Sequence, residues 1–534
     1  MMEPEIRTLV DISQSPAALK SHAEIKLGRA RWAASIFQRF DRAATQRIVD
    51  AVANAAHSHA HKYAKWAVEE TGFGVVEHKK LKNELTATAF ADHYRDVDFV
   101  NPVIDEARKI VRIPRPAGVV FALTPSTNPI ATLNFKILIA LMTRNAIVIS
   151  PHPAARACCV DAARMLAEAA IEAGAPDGVI QIIEEPTIPL IEQFMASELT
   201  SVILATGGTA MVRSAYSSSN PAIGVGPGNA PVYVDATARL PEAAKRIVSS
   251  KSFDNSILCT NESVLITLPE VEKKLSQSLK HAGAYLCDPE EVAILRRYLF
   301  HERGFNIAAV GQDATWIARE CGIRVPGNTK ILLTPIEQIG VEEKLSREKL
   351  CPVLAYHVAG NRSQALAQAR AVLRLTGAGH SAAIHAEDPQ VIVDYSRMVE
   401  AYRVVVNAPC SQGAAGFQTH LAPTFTIGTG YFGRSSVGDN IGPHHLVHWA
   451  SVAFNSDSAV AFANFATSDF GFEGPLPIAP ADGVPGQGQQ RPLAQQPAPR
   501  TLRSRDGGGM DSAMRDELRR LIAEELRNVI KSSN

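Results

Sequence analysis

The 534-residue chain has no excess of charge: Lys and Arg together number 54, and so do Asp and Glu. A nucleic-acid binder needs a basic stripe or patch, and no cluster of basic residues with aromatics occurs, so that class is excluded. No apolar run reaches the roughly 18 to 20 residues that a membrane-crossing helix requires. The opening segment MMEPEIRTLVDISQSP lacks the charged-then-apolar pattern of a secretory leader, and secretion is not expected. Cysteine is scarce: seven residues, odd in number and mostly spread out. That speaks for reduced thiols in a cytosol rather than a disulfide framework. No Walker loop and no Gly-x-Ser-x-Gly elbow is present. His57, His59 and His61, and likewise His444, His445 and His448, have no carboxylate or cysteine partners at the spacing of a zinc signature, so no metal site is expected. Hydrophobic residues are ordinary in amount, 46%, which excludes wholesale disorder. The length allows two or more cores. A soluble intracellular enzyme, or a binding protein for something small, is the class that remains.

Residues 1–98 read as helical, rich in Ala, Lys, Arg and Glu, with apolar positions at helical spacing in Ile48, Val49 and Val52 and again in Leu81 and Leu85. From about 108 the period changes. The β-branched runs IVRIP, GVVFALTP, AIVIS, GVIQII, SVILAT and APVYVD are ended by Pro, Gly, Ser or Asp, with helical stretches at 154–173, 188–197 and 210–217 between several of them. That alternation predicts a doubly wound parallel α/β sheet. A second set runs from 236 to about 420, with helices at 240–250 and 289–299 and strands in ILLTP, VLAYHV, AAIHA and RVVVNAP. Residues 471–509, rich in Pro, Gly and Gln, read as a flexible linker. In 510–534, Met514, Leu518, Ile522, Leu526 and Ile530 recur every four residues. This is an amphipathic helix on a tether, suited to binding something.

Among the motifs, Gly428 to Gly433 matches GxGxxG, but no helix-forming stretch follows it, and a dinucleotide fingerprint needs one. The turn 205–209 (ATGGT) does follow a strand and open a helix. It fits either a phosphate cradle at a helix N-terminus or an ordinary strand-to-helix turn. The turn 150–153 (SPHP) has the same topology. Cys259 lies in SFDNSILCTNES, a segment of polar flanks without regular periodicity, unlike Cys321 or Cys351. Such a cysteine is a candidate nucleophile, with a structural thiol as the alternative.

TPSTNP (124–129), ATGG (205–208), GPGNAP (226–231), SFDNSILC (252–259) and EKLCPVL (348–354) occur in the order found in aldehyde dehydrogenases. The forms SPHP, GPGNAP and FDNSILC resemble the coenzyme A-acylating branch, including the acetaldehyde and propionaldehyde dehydrogenases of bacterial microcompartments; the resemblance covers about residues 10–465. It implies two doubly wound α/β domains plus oligomerisation strands near 104–115 and 443–456, giving a homodimer or homotetramer. An NAD-binding domain would span 1–230, a catalytic domain 231–424, and a return segment with an oligomerisation strand 425–470.

The resemblance further implies that Cys259 attacks the aldehyde, with the Asn128 amide and the Cys259 N–H stabilising the oxyanion. Thr124 and Pro125 would lie near the nicotinamide, Gly207 and Gly208 at the pyrophosphate, and Glu348 at a ribose. Ser150 stands where hydrolytic relatives have a ribose-binding lysine, and His152 would help shape the site. Hydrolytic members carry a glutamate base 34 residues before the nucleophile; here that position is Val225. Without a positioned base, water is a poor acyl acceptor, and the thiol of coenzyme A is the better one. A small aldehyde, with acetaldehyde or propionaldehyde favoured, would be converted to its acyl-CoA. Residues 510–534 resemble a targeting peptide that docks on a shell protein and places the enzyme in a microcompartment lumen. The mixed-sign polar face argues against a membrane surface. The alternatives are a hydrolytic NAD(P)-dependent enzyme, a catalytically silent scaffold and a nucleotide-binding module.

Overall fold

The computed structural model describes residues 15–302, 304–465, Ser468 and Phe470. The linker 471–509 and the helix 510–534 expected from the sequence lie outside the described residues.

Five helices come first: Pro16–Phe37, Arg42–Ser58, Ala60–Thr71, Val76–Leu85 and Thr88–His93. Side chains cap the first two, with Ser15 accepting from the Ala18 N–H and Asp41 from the Ala44 N–H. Ile48, Val49 and Val52 are buried as their spacing predicts. The helix Val76–Leu85 inverts the sequence expectation. Leu81 is 40% exposed, whereas Lys79 and Lys82 are each 3% exposed. The physical reason is an acidic partner beneath them, described below.

A ribbon of β1 (Val103–Asp105) and β2 (Ile110–Pro116) follows. The first sheet is parallel and comprises β3 (Val119–Leu123), β4 (Ala146–Ser150), β5 (Ile180–Ile182), β6 (Val202–Thr206) and β7 (Ala222–Val225), in the order β5-β4-β3-β6-β7. The order reverses between β3 and β6, and a crevice opens beyond the carboxyl ends of strands at such a switch point. The helix Pro129–Met142 is buried along its whole length. Its one cation, Lys136, donates to the carbonyls of Leu123 (2.6 Å) and Leu204 (2.8 Å), tying together the ends of β3 and β6.

The second sheet is built from β8 (Ala230–Val234), β9 (Glu262–Thr267) and β10 (Ala284–Leu286), then, after the short hairpin β11 (Phe300–His301) and β12 (Gly304–Phe305), from β13 (Ile331–Pro335), β14 (Val353–Val358), β15 (Ala382–His385) and β16 (Val404–Val406). Its order is β10-β13-β14-β9-β8-β15-β16, parallel throughout. The chain then returns to the first unit: Ile441, Leu446 and Val447 join the first core. β17 (Val447–Ala453) pairs antiparallel with β2 in the register Val447 opposite Pro116.

Burial pushes the Lys136 ammonium well below its ordinary range. Lys136→Met removes a donor from two buried carbonyls and is expected to cost about 1 to 3 kcal/mol. The check is a lower urea midpoint at unchanged slope; an unmoved midpoint contradicts the assignment.

Candidate active site

Cys259 sits in the turn between the helix Leu240–Ser252 and β9. Approaching it, Asp254, Asn255 and Ser256 have φ of +49°, +52° and +62°. Three consecutive non-glycine residues in the left-handed region cost about 1 kcal/mol or more each, so surrounding contacts must hold the turn. They do. The Asp254 carboxylate is fully buried and accepts from the Val75 N–H (2.7 Å), from Lys79 Nζ (3.1 Å) and from Lys82 Nζ. The Asp254 N–H donates to His78 Nδ1 (2.9 Å), and Asn255 Nδ2 donates to the Gly311 carbonyl (2.8 Å). Burial alone would raise the Asp254 carboxyl; the charges of Lys79 and Lys82 outweigh it and hold the group at about 2. Burial lowers the Lys82 ammonium to about 7, with Asp254 opposing that and Lys79 reinforcing it.

The GPGNAP loop closes against Cys259 from the other side. A Cβ on Gly228 would lie 1.9 Å from the Cys259 carbonyl oxygen, so only glycine permits this approach. The Gly228 N–H donates to Glu348 Oε1 (3.1 Å), and Asn229 Nδ2 donates to the Ser346 and Val372 carbonyls. Burial pushes the Glu348 carboxyl up to about 8, against the pull of the Gly228 N–H and the nearby Lys251 and Lys349.

Behind Cys259 lies a group that the sequence did not reveal. His380 Nε2 is 3.2 Å from Cys259 Sγ, and its Nδ1 is 2.9 Å from Ser381 Oγ. His380 is fully buried. Burial first, then the positive charge of Arg403, lower its imidazole to about 3, so it is neutral at ordinary pH. Burial, then the charge of Glu348, raises the Cys259 thiol to about 12. The resting pair is therefore thiol and neutral imidazole.

A single cavity of about 1900 Å³ brings the sequence-predicted residues together. Cys259, Asn128 and Glu348 line it, as do Thr124, Pro125, Ser150, His152, Gly207 and Gly208. Thr124 and Ser150, just beyond β3 and at the end of β4, have buried hydroxyl oxygens without a partner among the described residues. The helix Thr209–Ser217 opens on Gly208 with no side-chain cap, which leaves N–H groups for an anion. Orphaned hydroxyls and an uncapped helix at the switch point fit a dinucleotide. Glu348 Oε1 also accepts the Gly228 N–H, which leaves Oε2 without a protein partner among the described residues. The Gly428 to Gly433 loop lies otherwise: Gly430 packs on the Tyr402 ring, Gly428 on the backbone of Val437 and Asp439, and only the turn Tyr431–Gly433 follows. Close packing uses those glycines.

Against family profiles, residues 6–286 match the aldehyde dehydrogenase family. The chain belongs to that family. Over 428 residues it is 39% identical to the aldehyde-alcohol dehydrogenase of Clostridium acetobutylicum, covering 78% of this chain and 49% of that protein. The chain thus spans about half the length of the first curated relatives it matches. A solved acetylating aldehyde dehydrogenase from Geobacillus thermoglucosidasius is 38% identical with a TM-score of 0.81, covering 83% of this chain and 98% of that one. A propionaldehyde dehydrogenase from the fucose utilisation bacterial microcompartment of Clostridium phytofermentans is 28% identical with a TM-score of 0.75, covering 82% and 98%. These matches agree with the aldehyde dehydrogenase fold expected from the motifs.

The raised thiol pKa of Cys259 sets a measurable signature. The Cys259 alkylation rate with iodoacetamide is expected to rise about tenfold per pH unit between about pH 7 and pH 10, as the thiolate fraction grows. A plateau below pH 8 would contradict the neutral thiol–imidazole pair.

Proposed function

We propose that the chain oxidises a small uncharged aldehyde to its acyl-CoA through a thioester on Cys259. The observation that carries this reading is Cys259 at the wall of a cavity shared with Asn128, with His380 buried behind it at 3.2 Å from its Sγ. With Nδ1 protonated and donating to Ser381 Oγ, His380 Nε2 presents a lone pair to the thiol and takes its proton as Sγ adds to the carbonyl carbon. The alkoxide that forms is met by the Asn128 amide N–H and the Cys259 backbone N–H. The backbone of Thr206 to Gly208 and the hydroxyls of Thr124 and Ser150 would hold NAD, with Pro125, His152 and Glu348 along the same wall. NAD supplies the hydride acceptor that converts the Cys259 thiohemiacetal to a thioester.

The acceptor follows from Val225, which is 3% exposed and lines the cavity at the end of β7. Its side chain takes no proton from water, which favours a thiol that ionises more readily. Once His380 has released the first proton to solvent, it takes the proton of the coenzyme A thiol as that sulfur adds to the thioester carbonyl, and returns it to Cys259 as the Cys259 thiolate leaves. Phe73, Ile257 and Val310, with Phe305 and Leu350 packed against them, form an apolar patch on the cavity wall. Arg156 and Arg374, which also reach the wall, are paired with Glu185 and Glu400. Arg347 lines the cavity as well, without an ion pair among the described residues, so it is the apolar patch that supports acetaldehyde or propionaldehyde.

The same proposal assigns residues 510–534 to a microcompartment shell protein, placing the enzyme in the lumen. The apolar stripe and the similarity to a microcompartment propionaldehyde dehydrogenase support it. The antiparallel ribbon of β1, β2 and β17 supports a homodimer or homotetramer.

NADH formation from purified protein, NAD and propionaldehyde is expected to be sustained only with coenzyme A, with propionyl-CoA appearing. Equal turnover without it, giving free acid, would overturn the acylating reading. Deleting 510–534 is expected to leave turnover in solution unchanged and to abolish co-sedimentation with purified shells; retained co-sedimentation contradicts the docking role.

A further inference from the structure

We propose that Lys82 is a positioning residue for Asn128: it turns the amide nitrogen toward the cavity and strengthens it as a donor to the alkoxide on Cys259. The inference rests on the reading of Asn128 given above.

Lysines are almost never fully buried unless paired. Here two of them, Lys79 and Lys82, meet one carboxylate, that of Asp254. Their second contacts differ. Lys79 Nζ donates to the Thr127 carbonyl (2.9 Å), whereas Lys82 Nζ donates to Asn128 Oδ1. A lysine ammonium only donates, so the oxygen of the Asn128 amide must face Lys82 and its nitrogen must turn away. Among the described residues that nitrogen has no protein acceptor, and Asn128 lines the cavity.

The local backbone makes the same point independently. Asn128 is the N-cap of the helix Pro129–Met142, where an asparagine oxygen ordinarily accepts an N–H of the first turn. It makes no such bond. Its oxygen is engaged by Lys82 instead, at the expense of the cap. A charge-assisted bond to Oδ1 draws electron density from the amide and polarises its N–H groups. Holding the turn does not by itself call for this contact, because the Val75 N–H and Lys79 also bind the Asp254 carboxylate.

The test is a mutant cycle in the full chain, read as the NADH burst on mixing with NAD and propionaldehyde before coenzyme A is added. Asn128→Ala and Lys82→Met are each expected to slow the burst about 100-fold, the size of one lost oxyanion donor. The double variant should be within about threefold of either single one, because both remove the same interaction. Alkylation of Cys259 by iodoacetamide and the KM for NAD should stay within about threefold of the parent, which a disordered turn would not allow. Lys82→Gln, which keeps a donor, should regain about tenfold of the lost rate, and it replaces Lys82→Met in the cycle if that variant does not fold. Multiplying losses, a parental burst in Lys82→Met, or alkylation falling in step with the burst would overturn the inference while leaving the acylating function standing. A parental burst in Asn128→Ala would instead overturn the oxyanion reading of Asn128, and this inference with it.

Discussion

Everything at the site depends on one buried carboxylate. Asp254 draws Lys79 and Lys82 out of solvent, reverses the expected orientation of the helix Val76–Leu85, and fixes three consecutive residues in the left-handed region. Desolvating two ammonium groups and a carboxylate is expensive, and breaking such a cluster leaves a charge uncompensated. The strained turn exists because these contacts over-determine it. Its product is a thiol presented from an irregular segment, with its own backbone N–H beside it.

Two closures complete the arrangement. The GPGNAP loop approaches Cys259 so closely that Gly228 admits no side chain, and Glu348 locks that loop through the Gly228 N–H. Arg403 donates to the carbonyls of Gly379 and His380 and to that of Gly438 (each 2.8 Å), fixing the His380 turn; burial first, and then the Arg403 charge, lower the imidazole's basicity. The resting pair is neutral, which suits a site that must not expose a reactive thiolate to passing electrophiles.

Most strands of the two sheets and the motif-bearing turns were legible in the sequence because β-branched runs alternate with helical periods, and because small residues mark the turns after β3, β4 and β6; two runs of the first set fall elsewhere, IVRIP in the antiparallel ribbon with β17 and APVYVD in the second sheet between β9 and β15. What escaped did so for physical reasons. β9 begins with Glu262 and Ser263, polar residues buried among partners distant in sequence, so no apolar run announces it. Lys79 and Lys82 look like a solvated helix face because Asp254 lies 172 residues from Lys82. His380 lies 121 residues from Cys259 in a glycine-rich turn, and only folding brings the two together. Local pattern reports burial and turns; charge pairs across the fold are invisible to it.

The central claim is a covalent acyl group on Cys259 that water does not readily remove and a thiol does. Intact-protein mass spectrometry after mixing with NAD and propionaldehyde, followed by peptide mapping, reads it directly. The covalent route predicts a propionyl mass increment on the Cys259 peptide that persists without coenzyme A and disappears on its addition. An unmodified Cys259 peptide while NADH accumulates would contradict it.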